Sequence, residues 1–146
     1  MNNIPLNILL ADDDTDDCFL FKEALEELPV KTELITVNDG VYLIQYLCQN
    51  ENQLPHVLYL DLNMPRKNGF ECLTEIKQHQ KLNQIPVIIF STSFDTEIVN
   101  LLYKHGAHYY IRKPAEFPKL SEILLKSIHL IDTNNHQPAK EKFVLT

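Results

Sequence analysis

Residues 8–14 read Ile8-Leu9-Leu10-Ala11-Asp12-Asp13-Asp14, a short apolar run that ends in three acids. The run is apolar without alternation, as expected of a strand covered on both faces of a parallel sheet. Three more such runs, over residues 57–60, 87–90 and 109–111, are followed by Asp61, by Ser91 and by Arg112-Lys113. Because chemistry in open α/β sheets gathers where strands end, we expect these polar side chains to meet at one sheet edge.

Amphipathic stretches of ten to fifteen residues separate the apolar runs. This alternation predicts βαβ units and an α/β fold with a five-stranded parallel sheet. The predicted strands cover residues 8–11, 33–37, 57–60, 87–90 and 108–112. The predicted helices cover residues 16–28, 41–49 and 70–79, a stretch capped by Ser93 or Asp95 that ends at Gly106, and residues 117–131.

The bulk properties exclude several classes of protein. A chain of 146 residues with 45% hydrophobic residues fits one globular domain. A net charge of −7 disfavours binding to nucleic acid or to an anionic membrane, both of which require a basic surface. The first five residues carry no basic segment, and no apolar run reaches the length of a membrane span. We therefore expect a cytoplasmic protein.

The cysteines and the C-terminal residues suggest no further site. Cys18, Cys48 and Cys72 are an odd number, with no CxxC pair and no nearby histidine at metal spacing, so we expect reduced thiols. Residues 132–146 are mostly polar and predict a flexible tail after a domain over residues 1–131. The last apolar residues, 143–145, could still dock on that domain.

The acidic residues suit a divalent cation. Two carboxylates about 5 Å apart repel by roughly 3 kcal/mol at an effective dielectric constant of about 20, and Mg²⁺ would turn that repulsion into attraction. We assign metal binding to Asp12 and Asp13. The alternative is that acids here cap a helix, which is our interpretation of Asp14, Asp16 and Asp17.

The other polar positions are ambiguous when taken singly. Asp61 could be a metal ligand, a nucleophile that forms an acyl phosphate, or a turn residue, and Asn63 a carbonyl ligand or a loop residue. Ser91 offers a hydroxyl, which is common in loops. Lys113 offers a cation for phosphate oxygens, and a cis peptide at Pro114 could turn it inward.

Together these motifs resemble the receiver domain of two-component response regulators, the family of the bacterial chemotaxis regulator. The resemblance covers residues 7–131 and rests on residues 8–14, 60–69, 86–91 and 110–114, in order and at family spacing. It implies a (βα)5 flavodoxin-like, doubly wound fold. Within the family, the chain is most similar to stand-alone receivers paired with phytochrome-type and hybrid sensor kinases. The run Ser91-Thr92-Ser93 and the lack of room for an output domain suggest this.

The resemblance also implies roles. Asp61 is expected to accept the phosphoryl group, with Asp12, Asp13, Asp61 and the main-chain carbonyl of Asn63 around Mg²⁺. Lys113 is expected to bind phosphate, and Ser91 and Tyr110 to act as switch residues. A sensor histidine kinase or a phosphotransfer protein is the expected donor. Thr92 departs from the usual Ala or Gly, which leaves the phosphoryl lifetime open.

Three alternatives remain. A haloacid-dehalogenase-type phosphatase uses similar residues, but in a different order along the chain. An FMN-binding flavodoxin would place phosphate where Asp12–Asp14 repel it. A degenerate receiver could serve only as a scaffold.

Because only fifteen residues follow the last helix, we expect a receiver's signal to leave through its own surface, to another protein or a second copy of the chain. The expected face is the fourth helix, the fifth strand and the fifth helix.

Overall fold

The computed structural model describes residues 4–134 and 136–146. The strands are β1 Leu6–Ala11, β2 Thr32–Val37, β3 Val57–Leu60, β4 Val87–Ser91, β5 Tyr109–Arg112 and β6 Val144–Leu145. The helices are α1 Thr15–Glu26, α2 Gly40–Gln49, α3 Gly69–Gln78, α4 Thr96–Lys104 and α5 Phe117–Thr133, with a 3₁₀ turn at Lys140–Lys142. Residues 1–3, part of the N-terminal stretch for which the sequence predicts no targeting signal, lie outside the described residues.

The strands form one sheet in the order β2-β1-β3-β4-β5-β6, and all five pairings are parallel. Leu9 and Ala11 contribute to the core on the face covered by α2, α3 and α4, whereas Ile8 and Leu10 face α1 and α5. Alternate residues of a strand point to opposite faces, so an uninterrupted apolar run supplies both cores. The predicted doubly wound α/β fold is confirmed.

The sheet has six strands where the sequence predicts five. Val144 pairs with Tyr110 and Leu145 with Ile111, which extends the sheet beyond β5. Phe143, just before this strand, is 1% exposed and lies in the core. Burial of these apolar side chains gives regular structure to residues 140–145, in the segment for which the sequence predicts a flexible tail.

Side-chain caps explain where the helices begin. Asp14, Asp39, Asn68 and Asp95 each accept a backbone N–H bond at the start of α1, α2, α3 and α4. Asp95, and not Ser93, is therefore the cap of α4. Such caps contribute about 1 kcal/mol each by satisfying donors that the helix leaves free.

Two glycines fix the loop between β3 and α3. A Cβ atom at Gly69 would lie 2.3 Å from the Asp61 carbonyl oxygen, and one at Gly40 would lie 1.9 Å from that of Lys67. Backbone packs against backbone at both points, so only glycine fits. The loop that follows Asp61 is thus held tightly between α2 and α3.

None of the helices in the described residues is long and apolar enough to cross a membrane.

Candidate functional site

The carboxyl ends of four strands bring the predicted polar residues to one edge of the sheet. The backbone ladder continues one residue past the strands, since the N–H of Asp12 donates to Val37, that of Asp61 to Ala11 and that of Lys113 to Ser91, at 3.0, 2.9 and 2.9 Å. These bonds fix the residues in register with their neighbours. The edge therefore carries acids from β1 and β3, a hydroxyl from β4 and an ammonium from β5.

Asp12, Asp13 and Asp61 form a cluster in which one carboxylate oxygen from each lies within 4.8 Å of the others. Asp12 is fully buried, Asp61 is 5% exposed and Asp13 is exposed. The cluster is thus anchored in the protein on one side and open to solvent on the other. A cation could enter from the side of Asp13.

Lys113 neutralises part of this charge. Its Nζ lies 2.8 Å from Asp12 Oδ2, 2.8 Å from Asp17 Oδ2 and 3.3 Å from Asp61 Oδ2, and its side chain is 8% exposed. Burial disfavours the charged ammonium, but hydrogen bonds to Asp12 and Asp17 outweigh it, so the pKa of Lys113 is raised. The ammonium is held charged among the acids.

Asp17 is the residue of this site that sequence reasoning missed. It was interpreted as a capping acid, but it pairs with Lys113, while the cap of α1 is Asp14, which accepts from the Asp17 N–H. No local signal identified it, because its partner Lys113 lies 96 residues further along the chain.

The donor set fits a hard divalent cation. Burial raises the pKa of Asp12 from 3.8 to about 6, against the opposing hydrogen bond from Lys113. Asp12 Oδ2 is buried and lies 2.8 Å from the Lys113 ammonium, but that single positive charge also faces Asp17 and Asp61. The excess negative charge of the cluster is costly, and a divalent metal ion would neutralise it.

Ser91 and Tyr110 lie beside the acids in the structure. Ser91 is fully buried at the end of β4, and its Oγ accepts from the Ser93 N–H at 3.3 Å. The buried Tyr110 directs its hydroxyl toward the same loop and donates to the Ser93 carbonyl. Burial raises the pKa of Tyr110, so the phenol stays neutral and a donor. One loop position thus contacts both predicted switch residues.

The N–H of Asn63 donates to Asp61 Oδ1 at 3.4 Å, and its side chain reaches Ser93 Oγ at 3.4 Å. This places Asn63 beside the cluster, whereas the role of its carbonyl remains a prediction. The cis peptide considered for Pro114 is wrong, because the described residues contain none. The backbone bond from the Lys113 N–H to Ser91 and the ion pairs of its ammonium with the acids hold Lys113 inward with a trans peptide.

Comparison with known proteins gives a consistent result. A family model described as response regulator receiver domain matches residues 8–125. Response regulator Rcp1 of Synechocystis sp. is 35% identical over 127 residues, which cover 84% of this chain and 86% of Rcp1. A probable methanogenesis regulatory protein of Methanothrix harundinacea, FilR2, is 31% identical over 80% of this chain and 77% of its own length.

Solved structures agree in fold. The phosphorylated cyanobacterial phytochrome response regulator RcpA has a TM-score of 0.77 and 35% identity, over 87% of this chain and 93% of RcpA. The Mn²⁺-bound form of Rcp1 also has a TM-score of 0.77, with 33% identity, over 92% of this chain and all of that one. The second structure holds a divalent cation.

Proposed function

Because the chain belongs to the response regulator receiver domain family of two-component systems, we propose that it is a phosphoacceptor switch in which Asp61 accepts the phosphoryl group. The observation that carries this proposal is the meeting of Asp12, Asp13 and Asp61 with Lys113 at one sheet edge. Members of the family are signalling proteins. We propose that this chain is likewise no enzyme and assists only its own phosphorylation and dephosphorylation.

Asp12, Asp13, Asp61 and the Asn63 carbonyl would hold the cation, which we take to be Mg²⁺. A bound Mg²⁺ supplies positive charge between an ionised carboxylate and an incoming phosphoryl group. The fit rests on the carboxylate cluster, whose negative charge exceeds the single positive charge of the Lys113 ammonium paired with it. The Mn²⁺ in the Rcp1 structure supports it.

The chain's own residues have distinct tasks in the transfer. An oxygen of Asp61 forms the new O–P bond while the P–N bond of a donor phosphohistidine breaks, and the histidine nitrogen keeps the electron pair. Lys113, already 3.3 Å from Asp61 Oδ2, can turn its ammonium to the phosphate oxygens. The Ser91 hydroxyl at the next strand end can donate to another phosphate oxygen.

Ser91 and Tyr110 would report the phosphorylation to the surface. Both contact Ser93, so capture of Ser91 by phosphate would alter the loop that Tyr110 holds. Exposed apolar side chains stand near this loop, at Phe94, Ile98 and Leu101. We propose that a downstream protein or a second copy of the chain reads this face as a population shift between two states.

The proposed donor is a sensor histidine kinase or a histidine phosphotransfer protein, and the proposed compartment is the cytoplasm. The likeness to phytochrome response regulators makes a phytochrome-type kinase the first candidate. The net charge of −7 supports partners that are neither nucleic acid nor membrane.

Replacement of the acceptor tests the proposal. With Mg²⁺ and acetyl phosphate, the native chain should gain one phosphate group, detected by intact-mass spectrometry and released by hydroxylamine as an acyl phosphate. Asp61→Asn should gain none, because an amide is not a nucleophile here. Asp14→Asn is the matched control, since asparagine also caps helices.

Normal labelling of Asp61→Asn would refute the assignment of the acceptor. A native chain that gains no phosphate from any donor would favour the scaffold alternative instead.

A further inference from the structure

A second cluster of metal-ligating side chains lies where α2 and α3 end. One ligand atom each from Cys48, Glu51 and His79 lies within 4.8 Å of the other two. Cys48 is in the last turn of α2, Glu51 follows that helix and His79 is the C-cap of α3. His79 is 31 residues from Cys48 in sequence, so local spacing does not show that the fold brings the two together.

The separations suit a tetrahedral transition-metal ion. Cys48 Sγ lies 3.9 Å from His79 Nε2, which lies 3.5 Å from Glu51 Oε2. Around Zn²⁺, with a Zn–S bond of about 2.3 Å and bonds to nitrogen and oxygen of about 2.0–2.2 Å, neighbouring ligand atoms are roughly 3.4–3.6 Å apart. Side-chain shifts of a few tenths of an ångström would therefore complete the geometry, with the fourth position left to water.

The backbone carbonyl groups at the ends of two helices also favour a cation at this cluster. α2 ends at Gln49 and α3 at Gln78, so the carbonyl ends of two helices flank the cluster. The negative end of a helix dipole stabilises cations within about one turn. Both helices thus favour a cation here, in addition to the thiolate and the carboxylate.

Two existing contacts would compete with the metal. Lys81 Nζ lies 3.6 Å from Glu51 Oε1, but its side chain is 67% exposed and can leave for solvent. His79 Nδ1 accepts from the Lys81 N–H at 3.1 Å, so ligation through Nε2 requires the ring proton to move to Nδ1. The exposed Lys81 N–H can then bond to water, and the cost is one surface hydrogen bond.

From this arrangement we propose that Cys48, Glu51 and His79 bind a divalent transition-metal ion, with Zn²⁺ as the ion best suited to one sulfur, one nitrogen and one oxygen ligand. Binding releases the thiol proton to solvent and forms a metal–thiolate bond. Soft thiolate and imidazole ligands discriminate against Mg²⁺, which prefers oxygen. The site is distinct from the acidic cluster, because helices that follow parallel strands end at the opposite edge of the sheet.

Cobalt provides a probe specific for the thiolate. Reduced full-length protein is titrated with Co²⁺ in excess Mg²⁺, which occupies the acidic cluster. Coordination by Cys48 should produce a sulfur-to-cobalt charge-transfer band that an all-oxygen site cannot give. Zn²⁺ should then bleach the band by displacing Co²⁺, since zinc binds such sites more tightly.

Single substitutions test whether Cys48 and His79, and not residues elsewhere in the protein, bind the metal. Cys48→Ser should abolish the band, and His79→Gln should weaken Co²⁺ and Zn²⁺ binding at least tenfold, with circular dichroism showing that both remain folded. Cys18→Ser is the matched control and should behave as the native chain. Absence of the band in the native protein, or its persistence in Cys48→Ser, would overturn the proposal. Asp61→Asn should leave the band unchanged, so this result is independent of the phosphoacceptor assignment.

Discussion

Asp12 combines complete burial with a charge at neutral pH. A pKa of about 6, against an ordinary 3.8, means that the folded state favours the protonated acid. The stability that this contributes is fully present below about pH 4 and is lost as the pH rises through 6. In a metal-free protein, ionised Asp12 therefore costs stability at neutral pH.

Asp12→Asn should reveal this cost, because asparagine has the shape of the protonated acid. Without divalent ions, its free energy of unfolding should equal that of the native chain near pH 4. Its advantage should then grow to at most about 3 kcal/mol above pH 6. Urea unfolding in chelator at pH 4, 5, 6 and 7 measures the difference. An advantage of Asp12→Asn that shrinks as the pH rises would contradict this interpretation.

At the scale of residues, the sequence located the acids because each directly follows an apolar strand. Asp12, Asp61, Ser91 and Lys113 meet at the predicted edge for this reason. Asp17 was missed because its partner Lys113 is remote in sequence and an acid in a first helical turn has an ordinary explanation. Pairing between distant residues is decided by packing that periodicity does not encode.

At the scale of elements, the β3–α3 loop carries the tightest constraints. Gly69 packs on the Asp61 carbonyl, Arg66 has a φ of 69°, and Asn68 and Glu71 form a capping box. A left-handed Arg66 costs of order 1 kcal/mol, which the surrounding contacts must offset. The loop thus fixes the position of Asp61, the residue proposed to be phosphorylated.

Gly69→Ala should shift Asp61 from this position. The new methyl group would meet the carbonyl group of Asp61 and the Cα atom of Leu62, so we expect a loss of at least about 2 kcal/mol in the free energy of unfolding, comparable to overpacking a core. Phosphorylation from acetyl phosphate should slow even at temperatures where the protein is folded.

The control for this change is Gly106→Ala, at a φ of 98° after α4 and away from the carboxylates. It should cost about 1 kcal/mol through backbone strain and leave the phosphorylation rate of the folded protein unchanged. Equal rates in both variants would show that the loop tolerates the methyl group.

The five predicted helices and the five predicted strands match the structure to within about two residues, because caps and apolar periodicity are local signals. The strands differed most at their N-terminal ends. Asn7 of β1 was omitted because it is polar, yet it pairs with Glu33 at the sheet margin. The ends of a strand depend on the backbone of the strand it pairs with. The cap of α4 could not be chosen from the sequence, because Ser93 and Asp95 are both acceptable cap residues.

At the scale of the whole molecule, the sixth strand connects the tail to the β4–β5 side of the site. The ring of Phe143 lies 5.1 Å from that of Tyr103 and 6.5 Å from that of Tyr110, between centroids. The Tyr110 N–H donates to the Phe143 carbonyl at 3.0 Å. The sequence showed that residues 143–145 were apolar but could not identify their partner, since nothing local specifies which edge a two-residue strand joins.

Phe143→Ala should therefore destabilise the whole fold and not only the C-terminal segment. Removal of a buried phenyl ring typically costs about 3–5 kcal/mol, and here the cavity would open beside Tyr110. Thermal and urea unfolding measure the loss. Phe19→Ala, at a side chain that is 60% exposed, is the matched control and should change stability by less than about 1 kcal/mol. Similar losses in the two variants would show that the tail does not contribute to the core.

The pairing of β6 with β5 also has a consequence for biosynthesis. Val144 is added to the chain 34 residues after its partner Tyr110, which at about 5–20 residues per second is a delay of roughly 2–7 s on the ribosome. Until residues 143–145 dock, β5 has no neighbour on its outer side, and an open strand edge is prone to pair with other chains. A newly made chain in which this segment has not yet docked should be a better substrate for chaperones than the folded protein.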